Sequence, residues 1–396
     1  MTIKSVKDIE TKGKKVLLRV DFNVPLADDG SITDDSRIRA ALPTIQYLIN
    51  KKAKIILASH LGRPKGKIVN ELRMTGIAQR LSQILKQQVK VAKDCIGPEV
   101  TKLIEKLQDG EVLLLENIRF HPEEEKNDAG FAKAMAQLAD VYVNDAFGAS
   151  HRAHASIEGI TEYLPSVAGM LLEKELKTLG NILENPSHPF GGLLGGAKIS
   201  DKVAMMENIM DKVDYLIVGG GMAATFLKAK SYNIGLSLIE SDMLDTAAKL
   251  MKMASSDGIR LLLPVDVIIA DELSPEAKVV KTTPVENIDS NLRIVDIGPQ
   301  TIKIFSEVLR KCKTVFWNGP MGIYEIPRFS EGTKAMARLL VDLNATTVVG
   351  GGSTAEIVNE MGLAEKMTFV STGGGASLRF LSGQKLPGVE ALRNKE

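Results

Sequence analysis

Cysteine is scarce in this chain. Only Cys95 and Cys312 occur in 396 residues, far apart and outside any C-x-x-C pair. That spacing argues against a disulfide framework and against a zinc site, and predicts two buried thiols in a reducing compartment. An excess of charge is missing as well: 50 basic residues face 49 acidic ones, for a net charge of +1. Such a balance creates no long-range field for collecting nucleic acid or an anionic membrane, so neither is expected as a partner. No run approaches the length of about 18 apolar residues that a membrane span requires. The N-terminus, MTIKSVKDIETKGKK, has neither the apolar core of a secretory signal nor the Arg/Ser-rich, acid-poor look of a transit peptide. A cytoplasmic protein is expected. There is no tandem repeat, and G-x-x-x-x-G-K-[ST] is absent, which excludes a P-loop. No glycine loop fits G-x-G-x-x-G with an acidic partner about 20 residues later, which argues against a nicotinamide-dependent dehydrogenase.

What remains is ordinary globular material, 44% hydrophobic and 25% charged, in a chain long enough for two cores. Short apolar runs recur, each followed by a turn cluster and a helical pattern. They include VLLRV (16–20), KIILAS (54–59), EVLLLEN (111–117), VYVND (141–145), DYLIVGG (214–220), IRLLLPVDVIIA (259–270), TVFWNG (314–319), TTVVGGG (346–352) and MTFVSTGGG (367–375). Continuous apolar strands alternating with helices imply parallel sheets covered on both faces. The expected fold is α/β: two doubly wound, Rossmann-like parallel-sheet domains joined by a helix, with an active-site cleft between them. The joining helix is read in VAGMLLEKELKTLGNILEN (167–185), which is amphipathic and ends at a Pro/Gly cluster.

One local unit recurs in the second half: a buried strand, three glycines, then a helix. It occurs at 219–221, 350–352 and 373–375. Such a turn exposes backbone N–H groups at a helix N-terminus, where an anion is favoured. Glycine for tight packing is the simpler explanation of any one loop; three of them together favour nucleotide phosphates. LLGGAKISDK (193–202) adds Lys198 and Lys202, four apart and expected on one face of a starting helix. Lysines are electrostatically misplaced at a helix N-terminus unless a phosphate sits there.

The first half carries a different set. Asp21 and Asn23 follow one strand, His60 and Arg63 a second, Arg119 a third, and His151, Arg152 and His154 a fourth, while Arg37 opens a helix. Each arginine alone suits a surface ion pair; their shared position beyond strand ends suits a small multiply charged acid. His121 is read as a surface histidine, and the EEE run beside it as a solvated face.

The segments RVDFNVPL, SHLGRPKG, LLENIRFHPEEE, VNDAFGASHRAHAS, LGGAKISDK, LIVGGGMAATFLKA, FWNGPMGIYE and STGGGASLRFLSGQKLPGV resemble the signatures of phosphoglycerate kinases, in order and end to end. The resemblance implies reversible phosphoryl transfer between 1,3-bisphosphoglycerate and ADP, giving 3-phosphoglycerate and ATP, with magnesium on the nucleotide and hinge-bending closure. It implies that Asp21, Phe22, Asn23, Arg37, His60, Leu61, Gly62, Arg63, Arg119 and Arg152 bind the acid, with His151 beside them. It places Arg37, Lys198 and Gly374 at the transferring phosphoryl group. Gly195, Lys198, Lys202, Gly219, Gly220, Asn318, Pro320, Glu325, Gly350, Gly351, Gly352 and Ser353 would hold the nucleotide, Glu325 on its ribose. It also implies a domain over 1–168 onto which 376–396 packs back, a connector over 169–187, and a nucleotide domain over 188–375.

Two positions depart from the family pattern. Ser353 stands where the family has a metal-contacting aspartate, so magnesium is expected to rely on nucleotide oxygens and water, and no protein metal ligand is assigned. Ile294 stands where a glycine is usual, which is expected to reshape the adenine pocket. The alternative reading is a non-catalytic binder of an anionic metabolite or nucleotide on the same fold. A monomer is expected.

Overall fold

The computed structural model describes residues 3–393. The chain divides into two compact units, one formed by 1–177 with 385–396 and the other by 178–384.

The first unit is built on six parallel strands: β1 (Lys15–Arg19), β2 (Lys54–Ala58), β3 (Val89–Val91), β4 (Val112–Leu114), β5 (Val141–Asn144) and β6 (Ser166–Ala168), in the order β3-β4-β2-β1-β5-β6. The reversal of order beside β1 is the switch point at which open α/β sheets bind ligands. Alternation along each strand sends side chains to two separate cores. Val16, Leu18, Ile55, Leu57, Val112, Leu114, Val141 and Val143 enter one. Leu17, Ile56, Leu113 and Tyr142 enter the other. That is why these strands read as unbroken apolar runs. Each fully buried Val, Leu or Ile contributes about 1.5–3 kcal/mol of transfer free energy.

The second unit holds β7 (Phe190–Leu194), β8 (Tyr215–Val218), β9 (Arg260–Leu262), β13 (Thr314–Asn318), β14 (Thr346–Gly350) and β15 (Phe369–Val370), in the parallel order β15-β14-β13-β7-β8-β9. A smaller antiparallel sheet, unforeseen from the sequence, joins β10 (Asp266–Ala270), β11 (Val280–Pro284) and β12 (Arg293–Ile297) in the order β11-β10-β12. The run 259–270 is therefore two strands in two sheets. Pro264, which has no N–H for a ladder, sits in the break between them.

The stretch 167–185 also divides. Its first residues complete β6, and the helix runs Met170–Glu184. Asp145 supplies the start, its Oδ1 accepting the N–H groups of Leu171 and Leu172 at 2.8 and 3.1 Å. Near the C-terminus, the helix Gly374–Leu381 stays with the second unit, where Asn208 Nδ2 donates to Leu381 O at 2.8 Å. The return to the first unit thus begins at Lys385, nine residues later than the expected 376. The helix Pro387–Arg393 is tied there by Gly388, whose N–H donates to Ser150 O at 3.0 Å.

Candidate functional site

In the first unit, the strand ends gather positive charge. Arg19, the last residue of β1, is fully buried. Its Nε donates to Ser156 Oγ at 2.9 Å, its Nη1 to Val20 O, and its Nη2 lies 3.2 Å from His60 Nδ1. Ser156 in turn donates from Oγ to Glu124 Oε1 at 2.7 Å and from its backbone N–H to Oε2 at 2.8 Å. Glu124 belongs to the EEE run read as a solvated face. That reading fails here: the carboxylate is fully buried. Burial raises its pKa despite Arg19 and Ser156. The short helix Pro122–Glu125 turns one of its three glutamates inward, which a run of identical residues cannot reveal.

Arg19 fixes the state of its histidine neighbour. Burial drives the His60 pKa well below its ordinary value; Asp21 opposes this, while Arg19, Arg119 and Arg37 reinforce it. The ring is therefore neutral near pH 7. A guanidinium only donates, so Nδ1 must accept from Arg19 and the ring proton sits on Nε2. Asp21 bonds to Arg37, Nη1 to Oδ2 at 3.0 Å, and accepts the Asn23 N–H at 3.3 Å. Burial pushes its carboxyl upward, but Arg37, His60 and Arg19 outweigh it and hold the group below the usual range. Phe22 is anchored by its N–H to Ser59 Oγ at 2.9 Å, and Asn23 Oδ1 accepts the Gly62 N–H at 2.8 Å. Leu61 donates its N–H to Asn117 Oδ1 at 3.3 Å.

Arg119 is 4% exposed, and its Nη1 donates to Gly62 O at 3.0 Å. Glu125 Oε1 lies 3.3 Å from its Nε but off the N–H direction, so that buried donor has no hydrogen-bond partner among the described residues. Burial, then Arg152 and Arg19, draws the guanidinium down to about 10. Arg152 Nε donates to His151 Nε2 at 3.2 Å. His154 is buried, and its pKa is pushed down to about 3 by burial and then by Arg119, Arg19 and Arg152. Arg63 is exposed on the turn whose Gly62 serves both Asn23 and Arg119. Positive charge here exceeds what the protein neutralises, which is the signature of a site waiting for an anion. His121 lies apart from it, half-buried, with Nε2 2.7 Å from Asp94 Oδ1. It is a paired histidine rather than a free surface one.

In the second unit, the carboxyl ends of β7, β8, β13, β14 and β15 converge. Three glycine turns open helices: Met222–Ala229, Gly352–Glu360 and Gly374–Leu381. Their glycines do different work. Gly220 has φ +63°, and a Cβ there would lie 2.5 Å from Pro320 O and 2.6 Å from Gly196 N. Backbone packing alone demands glycine at that position. Gly195 likewise abuts Pro320 O, and Gly219 abuts Met321 Sδ. Gly352 is the opposite case, because a Cβ there would meet nothing, leaving its helix N-terminus open. Gly374 abuts Gly352 N, so two helix N-termini lie side by side, with Gly350 and Gly351 leading into one of them. Asn318, at the end of β13, is 2% exposed, and its Nδ2 has no partner among the described residues. A Cβ on Gly351 would lie 2.9 Å from that nitrogen, which puts the idle donor beside the open helix end.

The lysines differ from expectation. Residues 196–202 form turns, and the helix runs only Val203–Ile209, with Lys202 as its N-cap. Lys198 is an exposed loop residue. Lys202 is 8% exposed, and burial lowers its pKa against the pull of Asp201 and Glu240. Its Nζ would lie 3.3 Å from a Cβ on Gly196. Glu240 holds this turn by accepting the N–H groups of Ile199 and Ser200 at 2.6 and 3.1 Å.

Beside the turns lies a cavity of about 400 Å³, lined in part by Gly196, Gly220, Gly221, Leu236, Ile294, Asp296, Pro320, Glu325 and Ser353. Its lining is mostly apolar, with Glu325 exposed at the mouth. Ile294 does stand in this wall. Asp296 is lifted to about 7, chiefly by burial, against the N–H groups of Gly332 and Ile297.

Several members of both sites were missed in the sequence. Arg19 carried a visible signal, a charge inside an otherwise apolar strand; Ser156, Glu124, Asn117 and Glu240 carried none, since each acts through a fold contact far along the chain.

Comparison with known proteins closes the question of kinship. The profile of the family "Phosphoglycerate kinase" matches residues 6–384. A curated phosphoglycerate kinase from Pelotomaculum thermopropionicum is 53% identical over 395 residues, covering all of both chains. The structure of phosphoglycerate kinase from Coxiella burnetii aligns at TM-score 0.88 with 41% identity, covering all of both chains. That of phosphoglycerate kinase from Pyrococcus horikoshii OT3 aligns at 0.87 with 31% identity, over 99% of this chain and 98% of the other. With its two parallel-sheet α/β units and matches spanning its length, the chain belongs to the phosphoglycerate kinase family.

Proposed function

We propose that this chain catalyses the reversible transfer of a phosphoryl group between 1,3-bisphosphoglycerate and ADP, giving 3-phosphoglycerate and ATP, in glycolysis and gluconeogenesis. The observation that carries the reading is the crowding of positive charge in the first unit: Arg119, whose buried Nε faces Glu125 but makes no hydrogen bond, lies close to Arg152 and Arg19. A small acid bearing a phosphate and a carboxylate neutralises that cluster. Arg37, Arg63, Arg119, Arg152 and the Nε2–H of His60 are its donors, on a base formed by Asp21, Phe22, Asn23, Leu61 and Gly62, with His151 at the edge. The guanidinium forks suit both anionic ends.

The nucleotide occupies the second unit. The 400 Å³ cavity takes the adenine and ribose, with Pro320 in its wall and Glu325 on the ribose. The phosphates run toward Lys198, Lys202, Gly195, Asn318 Nδ2 and the helix N-termini at Gly350–Ser353 and Gly374. Gly219 and Gly220 shape the turn beside them.

Phosphoryl transfer asks for in-line alignment and positive charge on the equatorial oxygens, with little covalent help from protein. Arg37, Lys198 and the Gly374 amide supply that charge. The acid and the nucleotide belong to different units, so turnover requires them to approach; a hinge-bending cycle supplies the approach and excludes water.

Magnesium bound to the nucleotide neutralises phosphate oxygens. The donor set here fits a metal carried mainly by phosphate and water: among the described residues no trio of metal-binding side chains gathers at these turns, and Ser353 offers one neutral oxygen within reach of Tyr324. Among the described residues no helix is long and apolar enough to cross a membrane. We place the enzyme in the cytoplasm, as a monomer.

A coupled assay tests the reading. ADP release from ATP and 3-phosphoglycerate is expected, together with loss of at least about 100-fold in turnover for Arg37→Ala. Measurable binding of both ligands with no ADP release overturns it in favour of a non-catalytic binder.

A further inference from the structure

Apart from the residues assigned to the acid, the first unit brings three unlike metal-binding donors together. A carboxylate oxygen of Asp94, the Sγ of Cys95 and a ring nitrogen of His121 all lie within 4.8 Å of one another. Asp94 and Cys95 follow β3; His121 follows β4 and precedes the helix Pro122–Glu125. The geometry is already drawn tight. His121 Nε2 lies 2.7 Å from Asp94 Oδ1, and the same oxygen accepts the Cys95 N–H at 2.7 Å. Phe131 backs the imidazole, with ring centroids 5.2 Å apart. The thiol is fully buried, whereas the His121 and Asp94 side chains are 28% and 53% exposed, so the cluster opens to solvent on its carboxylate side.

An ion pair with a core cysteine nearby is the simpler description, and Cys95 does pack within an apolar cluster. An ion pair, however, has no need of a thiol within 4.8 Å of both partners. Sulfur, imidazole nitrogen and carboxylate oxygen form the mixed donor set of a borderline-soft divalent cation, with bonds of about 2.3, 2.0 and 2.0–2.2 Å in the case of zinc. Tetrahedral placement at those lengths separates the donors by roughly 3.3–3.6 Å. The His121–Asp94 contact then widens by about half an ångström as the cation replaces the hydrogen between them.

We infer that Asp94, Cys95 and His121 form a binding site for one thiophilic divalent cation of the zinc class, with solvent as fourth ligand. On binding, Cys95 loses its thiol proton to solvent, and His121 ligates through Nε2. The site lies two residues from Arg119, at the head of the helix that carries Glu124 and Glu125, so the bound cation pins the loop bearing that arginine.

Cobalt(II) is the probe. The metal-free full chain, titrated with Co²⁺, is expected to take up one equivalent with a thiolate-to-cobalt charge-transfer band in the near ultraviolet, abolished by added Zn²⁺. Cys95→Ala should remove the band, and Cys312→Ala should keep it. His121→Gln, at a partly exposed position, should weaken Co²⁺ binding at least 10-fold. No thiolate band in the wild type, a band that survives Cys95→Ala, or unchanged affinity in His121→Gln each overturns the proposal.

Discussion

Replacing Arg119 by methionine should separate stability from activity. The side chain is 4% exposed, and truncating such a residue ordinarily costs about 1–3 kcal/mol. Here the charge itself is under strain. Its pKa falls from the ordinary arginine value to about 10. At 1.36 kcal/mol per unit that corresponds to about 3 kcal/mol, which solvent screening reduces to roughly 1–2. Against this relief stands the lost bond from Nη1 to Gly62 O, worth on the order of 1 kcal/mol at a turn that water can reach. Methionine fills most of the volume. The net expectation is an unliganded protein as stable as the wild type, or more stable by up to about 1 kcal/mol, a rise of roughly 2–4 °C in Tm. Activity moves the other way. One guanidinium making charged hydrogen bonds to the acid supplies about 2–4 kcal/mol, so kcat/KM for 3-phosphoglycerate should fall roughly 30- to 1000-fold. The KM for ATP, bound to the other unit, should stay within about twofold. Calorimetry of the free protein and steady-state kinetics with each substrate varied give the answer. Destabilisation beyond about 2 kcal/mol, or acid kinetics within about threefold of wild type, would refute the reasoning.

Three further outcomes follow from the same structure. Lys198→Ala should leave Tm within about 1 °C, since the side chain is exposed, while turnover drops at least about 100-fold; near-normal turnover removes its assigned role. Asp145 is lifted to about 6 from 3.8, mainly by burial. A raised carboxyl favours folding while neutral, so its contribution is complete below about pH 4 and is lost as pH rises through 6. Asp145→Asn should therefore raise stability above pH 6 by up to about 3 kcal/mol and flatten its pH dependence; a lower denaturation midpoint at pH 8 contradicts this. Ser353→Asp puts a carboxylate in the first turn of the helix Gly352–Glu360, where the dipole favours it by about 0.3–1 kcal/mol. Activity titrated against free magnesium should reach half-saturation at several-fold lower metal; an unchanged or higher requirement counts against a metal held by phosphate and water alone.

The parallel sheets were legible because their strands are buried on both faces and so spell unbroken apolar runs, such as KIILA in β2. The antiparallel sheet was not, because β9 and β10 lie end to end in one apolar run and only Pro264 marks the change of sheet. Positions just past strand ends pointed to Arg119, His60 and Arg152. They could not show the tautomer of His60, which depends on Arg19, 41 residues away. Lys198 and Lys202 at a spacing of four suggested a helix, yet Glu240 holds Ile199 and Ser200 in a turn through contacts that no local pattern encodes. Triple glycines looked alike in sequence. Only the fold separates Gly220, required by neighbouring backbone, from Gly352, which leaves space for a ligand.

The helix Pro387–Arg393 has a bearing on how the molecule is made. Every side chain proposed to touch substrate has been synthesised by Gly374, but the Ser150 turn before His151 and Arg152 is still missing two of its ties. Gly388 supplies them, accepting from Asn144 Nδ2 at 3.3 Å and donating to Ser150 O. A nascent chain therefore finishes its second unit, which closes at Gln384, before it makes the helix Pro387–Arg393 that completes the support of the arginine loop.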